Sequence, residues 1–368
     1  MANTYISDIV IGLQYGDEGK GKIVHALAKN KDAYDYCVRF NGGANAGHTI
    51  YHNGVKIVTH QVPSGILFGI PCIIGDNCYV DLDKLLAELT MLQDNGITTR
   101  DMVYLSTKAH IITAEHLRED GAESAIGTTK SGIGPCARAK YGRTGMRVDM
   151  LMSMGHASAV ELLMHAGIQI ENPVQLFMKY YSQNGRHPRV LVEGAQAYGL
   201  DITHGDYPYV TSSHCLATDC LNMGINMMPT DRRDNKYQLR IWGVAKAYET
   251  YVGAKQFQPA DDPVLDKMQE IGQEFGSTTG RKRQCNYLNL ARLRESAFLN
   301  QVTHLVINKC DVLEHPDINV YRFADTMYEA PDMACFKLFV KMGIDSVPCL
   351  RDEHIYFEHA ADSDTVFK

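Results

Sequence analysis

The stretch "GLQYGDEGKGKIV", residues Gly12 to Val24, directly follows the apolar run Ile9-Val10-Ile11. Gly16, Gly21 and Lys22 match the G-x-x-x-x-G-K template, in which backbone N–H groups cradle phosphates and a lysine neutralises them. Ile23 stands where the template has Ser or Thr to hold magnesium, and Asp17 and Glu18 sit inside the loop. A strand, a glycine-rich turn and the helical "KIVHALA" put Gly16, Glu18, Gly19, Lys20, Gly21 and Lys22 at a strand's carboxyl end and a helix's amino end. Oriented N–H groups attract anions there. Asp17 then has two jobs open to it: ligating magnesium in place of the missing hydroxyl, or taking a proton from a bound substrate. The plain alternative is an ordinary glycine-rich strand-to-helix turn.

Short apolar runs recur beyond it, at Tyr36 to Phe40, Cys72 to Ile74, Val190 to Val192, Ile241 to Val244 and Leu305 to Ile307. Runs that are apolar on successive residues suit strands buried on both faces, hence a largely parallel sheet covered by helices. Leu82, Leu85, Leu86, Leu89 and Leu92 line one helical face, with Asp81 as N-cap and Asn95-Gly96 as a stop. A second helix begins at Pro263, a favoured first position, and a third covers Leu288 to Phe298. With no internal repeat or Pro/Gly/Ser linker, the pattern predicts α/β architecture: a single domain, 1–368, on a mostly parallel, helix-covered β-sheet, P-loop-like.

The 368 residues, nearly half of them apolar, suffice for a substantial core. A net charge of −7 argues against a surface built to coat nucleic acid. Ten scattered cysteines show no C-x-x-C pair and no zinc spacing, the pattern of a reduced chain. The opening "MANTYISD" has no basic region followed by an apolar core, and no run approaches the length of a membrane span. The expectation is a soluble, cytoplasmic protein without nucleic-acid or membrane partners.

Several later segments carry groups suited to nucleotides. "NGGANAGHT" surrounds Asn45 and His48 with glycines that let backbone approach a ligand, and a histidine near phosphate can stabilise transferring oxygens. "AIGTTKSGIGP" offers Thr128, Thr129 and Ser131, with Arg143 and Arg147 following; hydroxyls, free N–H groups and a guanidinium make a phosphate cage. "EGAQ" supplies Gln196 and "YPYVTSS" supplies Thr211. "GSTTGRKR" sets hydroxyls before Arg281 and Arg283, able to grip a dicarboxylate and a phosphate. In "NKCD", Asp311 can accept from the N1 hydrogen and 2-amino group of guanine, with the Lys309 stem along the base. Each has a bland reading too: a polar loop, a solvated basic face, a chance tetrapeptide.

Taken in order, these segments, with "QVPSGIL" and "DITHGDYPYVTSS", resemble the adenylosuccinate synthetase family, GTP-dependent ligases that join aspartate to IMP. The resemblance runs through about residue 315, and the part after it is short for the family. It implies a single α/β domain, usually in a homodimer, and a set of roles. Asp17 matches the base that takes the N1 proton from the purine, and also a magnesium ligand. His48 matches the acid that stabilises the transferring phosphoryl group, and Gly47 the residue whose carbonyl ligates Mg2+. Asn45, Thr129, Gln196, Thr211 and Val252 surround the nucleoside monophosphate, and Arg143 reaches the neighbouring subunit's substrate. Thr278, Thr279 and Arg281 bind L-aspartate. Gly16, Glu18, Gly19, Lys20, Gly21, Lys22, Arg283, Lys309 and Asp311 hold the triphosphate. Placing the base inside the phosphate loop is a matter of proximity, since proton and phosphoryl acceptor meet there.

Two departures from the family pattern stand out. "VPCLRDEHIYFE" lacks the S-T-G-P-like turn that finishes the base pocket, which leaves GTP open against ATP or dATP. "YVGAKQFQPAD" puts Tyr251 where the family has arginine, beside the substrate ribose. Such compactness resembles archaeal or viral members, including a viral branch, 2-aminoadenylosuccinate synthetase, that uses dGMP. Retention of Asp17 favours IMP. The alternatives are that dGMP ligation, a GTP-hydrolysing switch protein, and a nucleic-acid binder using Arg281 to Arg283.

Overall fold

The computed structural model describes residues 4–52, 54–122, 127–153, 157–225, 229–231, 233–276 and 280–359. Among them the chain builds a 10-stranded sheet. Its order is Ile355–Phe357, His304–Asn308, Lys236–Lys246, Thr4–Gly12, Val190–Glu193, Tyr36–Gly43, Cys72–Val80, Val103–Ser106 and Ile168–Glu171, with His110–Ile111 paired beside Cys72–Val80. Every pairing in it is parallel. All six apolar runs predicted as strands lie in this sheet.

The reason is visible in the first strand. Ile9 and Ile11 face one core, with Val38, Phe40, Val190, Val192, Leu305 and Ile307; Val10 faces the other, with Leu191, Val244 and Val306. Successive side chains of a strand point to opposite faces, so burial on both sides demands an unbroken apolar run. Each fully buried Val, Leu or Ile contributes about 1.5–3 kcal/mol of transfer free energy.

Helices cover these faces. The Leu82–Asp94 helix starts where the Asp81 carboxylate accepts from the Lys84 N–H, and it buries Leu85, Leu89 and Leu92. Gly96, at φ 78°, follows its end. The Pro263–Ile271 helix begins at its proline. The third helix runs Leu290–Leu299 and starts two residues later than predicted, because the Asn289 side chain accepts from the Arg292 N–H and caps it there.

The strands Val103–Ser106, Ile168–Glu171 and Ile355–Phe357 were not predicted. They are 4, 4 and 3 residues long, sit towards the sheet's edges, and the last two are only partly buried for most of their length. Ile168–Glu171 and Ile355–Phe357 each have an open side and need no continuous apolar run, while Val103–Ser106 is paired on both sides but is short and interrupted by the half-buried Tyr104. Three antiparallel pairs outside the sheet among the described residues, His48–His52 with Val55–Thr59, Tyr248–Tyr251 with Gln284–Tyr287 and Tyr321–Arg322 with Glu329–Ala330, were also unforeseen.

Asp35 ties two neighbouring strands together just before Tyr36. It accepts from Arg186 Nη1 at 2.7 Å and Nη2 at 3.0 Å, and from the Arg189 N–H at 2.7 Å. Burial opposes ionisation of this carboxyl, but the arginine bonds outweigh it and hold its pKa below the usual carboxylate range. A depressed folded pKa contributes stability that is present above the unfolded value and lost as pH falls toward the folded one. Asp35→Asn is therefore expected to cost about 1–2 kcal/mol at neutral pH, after allowance for partial solvent screening. Urea denaturation at pH 7 and pH 3 checks it: the gap between wild type and variant narrows at the lower pH.

Candidate active site

Because the strands run parallel, their carboxyl ends share one edge of the sheet, and the motifs follow those ends. Gly12 leads into the phosphate-loop candidate, Gly43 into Asn45 and His48, Glu193 into Gln196, Lys246 into Thr250 and Val252, and Asn308 into Lys309 and Asp311. Open α/β sheets bind ligands in the crevice at this edge. A cavity of about 520 Å³ lies there.

Its lining brings together Gly16, Asp17, Glu18, Gly19, Lys20, Gly21 and Lys22 with Asn45, Gly47, His48, Thr129, Gln196, Thr211, Val252, Arg281, Arg283, Lys309 and Asp311. Arg143 is not among them. It caps the Ile133–Gly142 helix at φ 61° and is exposed, outside the cavity of its own chain. Thr278 and Thr279 lie outside the described residues.

The loop from Gly12 to Lys20 answers why acids stand beside a phosphate site. Glu18, expected among the triphosphate contacts, has its carboxylate turned into the protein. It accepts from the Gly16 N–H at 2.7 Å and the Gln14 N–H at 3.3 Å, and it pairs with Lys20 Nζ at 2.7 Å. A buried carboxylate committed to backbone donors and to Lys20 shapes the loop. Gly19 begins the helix at φ 95°, and a Cβ there would stand 2.9 Å from Asn308 Nδ2, whose amide donates to the Glu18 carbonyl at 2.7 Å. Gly12 is as constrained, since a Cβ would meet Glu18 Oε2 at 2.5 Å.

Asp17 is the acid that faces the cavity. Its side chain is 34% exposed and pairs with Arg283 at 2.9 Å. Arg283 is held from behind by Glu274, which also pairs with Lys246 at 3.2 Å. Burial works against the charge on Glu274, but Lys246 and Arg283 outweigh it and hold its pKa at about 2. Burial pushes the Lys246 ammonium down, while Asp17 and Glu274 more than offset burial at Arg283. The cavity thus has a floor of alternating charges, with Lys246 hydrogen-bonded to Thr250 at its end.

Opposite lies His48, buried, whose Nδ1 meets the Glu193 carboxylate. Burial, with the Arg39 and Lys20 charges, pushes the imidazole well below its ordinary pKa. Asn45 Oδ1 and Gln196 Oε1 are buried acceptors with no hydrogen-bond partner among the described residues. Buried polar atoms are normally satisfied, and a bound ligand with donors would satisfy these two. Gln196 also holds φ at 57°, a costly left-handed conformation for a side-chain-bearing residue. Both guanidinium nitrogens of Arg281 donate to the Gly127 carbonyl at 3.2 Å. Lys309 Nζ donates to the Gly272 carbonyl at 2.9 Å, laying its stem along the cavity, while Asp311 sits exposed on the lip.

Sequence reasoning missed Lys246, Thr250, Asn308 and Tyr15 as lining residues. Lys246 and Asn308 carried a faint signal, each being a polar residue at the end of an apolar parallel strand. Tyr15 lies inside the loop itself and packs on Tyr251 and Phe257, rings 5.9 and 4.9 Å away, which no local pattern announces.

Comparison with known proteins agrees with this arrangement. The adenylosuccinate synthetase family model matches residues 9–167 and 157–330. The Helicobacter pylori (strain HPAG1) adenylosuccinate synthetase is 36% identical over 347 residues, covering 85% of this chain and 80% of its own. The Desulfosudis oleivorans adenylosuccinate synthetase is 40% identical over 345 residues, covering 83% and 77%. Among solved structures, the fully ligated Plasmodium falciparum adenylosuccinate synthetase superposes with a TM-score of 0.68 at 30% identity, over 84% of this chain and 78% of that one. The cyanophage S-2L succinoaminodeoxyadenylate synthetase, bound to dGMP and to dATP as an energy donor, shares the fold with a TM-score of 0.70 at 19% identity, over 98% and 94%. Motifs, cavity and relatives converge: this chain belongs to the adenylosuccinate synthetase family, the nucleotide-binding carbon–nitrogen ligases of purine biosynthesis.

Proposed function

We propose that this chain joins L-aspartate to carbon 6 of IMP at the expense of GTP, giving adenylosuccinate, GDP and phosphate. The observation that carries the reading is that Asp17, inside the phosphate-loop candidate, and His48 line one cavity. Asp17 takes the N1 proton of the purine, and the 6-oxygen so activated attacks the γ-phosphorus, releasing GDP. The aspartate amine then displaces phosphate from carbon 6. Carrying a proton on its cavity-facing nitrogen once phosphates fill the site, His48 donates to the transferring phosphoryl oxygens and stabilises the charge on them. Ligand entry has to exchange the Asp17–Arg283 ion pair, which frees the base and offers the guanidinium to incoming anions.

Mg2+ fits the donors present. The Asp17 carboxylate and the Gly47 carbonyl are hard oxygen ligands on the same cavity, a set suited to that ion. When bound, it supplies charge neutralisation at the phosphates. Asn45, Thr129, Gln196, Thr211 and Val252 take the monophosphate, Arg281 the aspartate, and Lys309 with Asp311 the donor base. Among the described residues no helix is long and apolar enough to cross a membrane, and we place the enzyme in the cytoplasm. The exposed Arg143 is consistent with a homodimer that shares it, and the solution mass tests this.

The second reading keeps the chemistry and changes the acceptor to dGMP. The Tyr251 side chain, buried and lining the cavity where the family has arginine, favours keeping it in view. Purified protein is incubated with L-aspartate, GTP, dATP or ATP, and either IMP or dGMP. Product from IMP, dependent on aspartate, is expected. Product from dGMP and none from IMP overturns the acceptor, and hydrolysis indifferent to aspartate overturns ligation altogether.

A further inference from the structure

Two of the motifs each contain a polar residue with no task in the scheme above: Ser64 in "QVPSGIL" and Glu193 in "EGAQ". The fold brings both to His48. Glu193 ends the Val190–Glu193 strand, paired with Val10 on one side and Arg39 on the other, and its side chain is 0% exposed. His48 Nδ1 meets Glu193 Oε1. The same oxygen accepts from Ser64 Oγ at 2.7 Å, and Oε2 accepts from the Ser64 N–H at 2.7 Å. Arg39 Nη2 stands 3.3 Å from Oε1 and 3.4 Å from His48 Nδ1.

This set of donors leaves one arrangement. A carboxylate gripped by two Ser64 donors and a guanidinium accepts only, so the ring nitrogen touching it carries hydrogen. Arg39, which can only donate, then gives its hydrogen to Glu193 and not to Nδ1. With Nδ1 engaged, Nε2 is the nitrogen left for the cavity. Which nitrogen of a histidine is free is set by the bond the other makes, and a carboxylate is a usual choice for that bond.

We propose that Glu193, itself clamped by Ser64, is a positioning residue that fixes the tautomer and ring orientation of His48 and so presents Nε2 to the transferring phosphoryl group. This rests on the role given to His48 above. Ser64 and Glu193 stand 129 residues apart in sequence, and their contact makes the "QVPSGIL" segment part of the active-site support. Glu193 touches no reacting atom and acts through the imidazole.

The test has two readouts. In 15N-histidine-labelled protein without nucleotides, His48 is expected to show a protonated Nδ1 engaged by a carboxylate, and Glu193→Gln to lose that preference. In steady-state ligation, Glu193→Gln is expected to lower kcat by about 10²-fold, with the KM values for both nucleotides and aspartate within about threefold of wild type. Should loss of the charge beside buried Arg39 prevent folding, Ser64→Ala keeps the carboxylate and removes one clamp; a fall in kcat of about threefold to tenfold with unchanged KM is expected. Glu193→Asp should recover part of the loss. A wild-type His48 with no proton on Nδ1, or a folded Glu193→Gln enzyme with wild-type kcat, overturns the inference. If His48→Ala ligates normally while the tautomer is as described, the positioning stands and the role of His48 fails instead.

Discussion

Asp17→Asn is expected to lower kcat for ligation by about 10²–10⁴-fold, the span that a positioned general base contributes, while both nucleotides still bind. Asparagine is the better substitution than alanine for two reasons. Asp17 holds φ at 59°, a left-handed conformation that Asn tolerates well and that costs Ala about 1 kcal/mol. Asn also keeps an oxygen in reach of Arg283, which sits 2.9 Å away, so the charged floor stays in place. What vanishes is the ability to take a proton. Calorimetric titration of GTP and IMP separates binding from chemistry; a variant that turns over within tenfold of wild type removes Asp17 from the mechanism.

The second large effect is expected at Arg281. Arg281→Leu should raise the KM for L-aspartate by about 10²–10³-fold, because a bidentate, charge-assisted pair is lost and a carboxylate is left desolvated without a partner. The nucleotide KM values should change far less. In the structure both terminal nitrogens of this guanidinium lie on the Gly127 carbonyl at 3.2 Å, a long contact with a single neutral oxygen. A dicarboxylate offers two charged oxygens in matching geometry and displaces it. Arg281→Lys should restore little, since an ammonium is a point charge without the fork. An aspartate response that does not change would show that this arm grips something else.

How much of this could be seen in the chain alone differs by element. The strand at Ile9 to Ile11 and its five counterparts were legible because burial on both faces writes an unbroken apolar run into consecutive residues. The helix from Leu82 was legible because its cap, its face and its stop are all local. The strand Ile355–Phe357 was not: it is held by pairing to Leu305, Val306 and Ile307, and its own residues are only partly buried. The tail that reads as lacking a base-pocket turn therefore contributes the outermost strand beside the Lys309 and Asp311 segment. Its Glu358 carbonyl accepts from the Cys310 N–H at 3.1 Å.

The candidate site divides along the same line. Asp17, His48, Arg281 and Asp311 were named from motifs, because backbone that must approach phosphate leaves glycines and loop polar groups in a recognisable order. The Glu18 carboxylate folds the loop, which the motif did not announce, since a residue type does not say which way a side chain points. Lys246, Glu274 and Glu193 went unassigned because their meaning lies in pairing: Lys246 with a residue 28 positions on, Glu193 with one 129 positions back.

By itself, then, the sequence determined the class of fold, the edge of the sheet where chemistry gathers, and the residue types that do it, for these are written in local periodicity and short motifs. Only the tertiary structure decided which acid faces the cavity, which nitrogen of His48 is free and what balances each buried charge. Those outcomes depend on distances between segments remote along the chain, and no local pattern encodes such a distance.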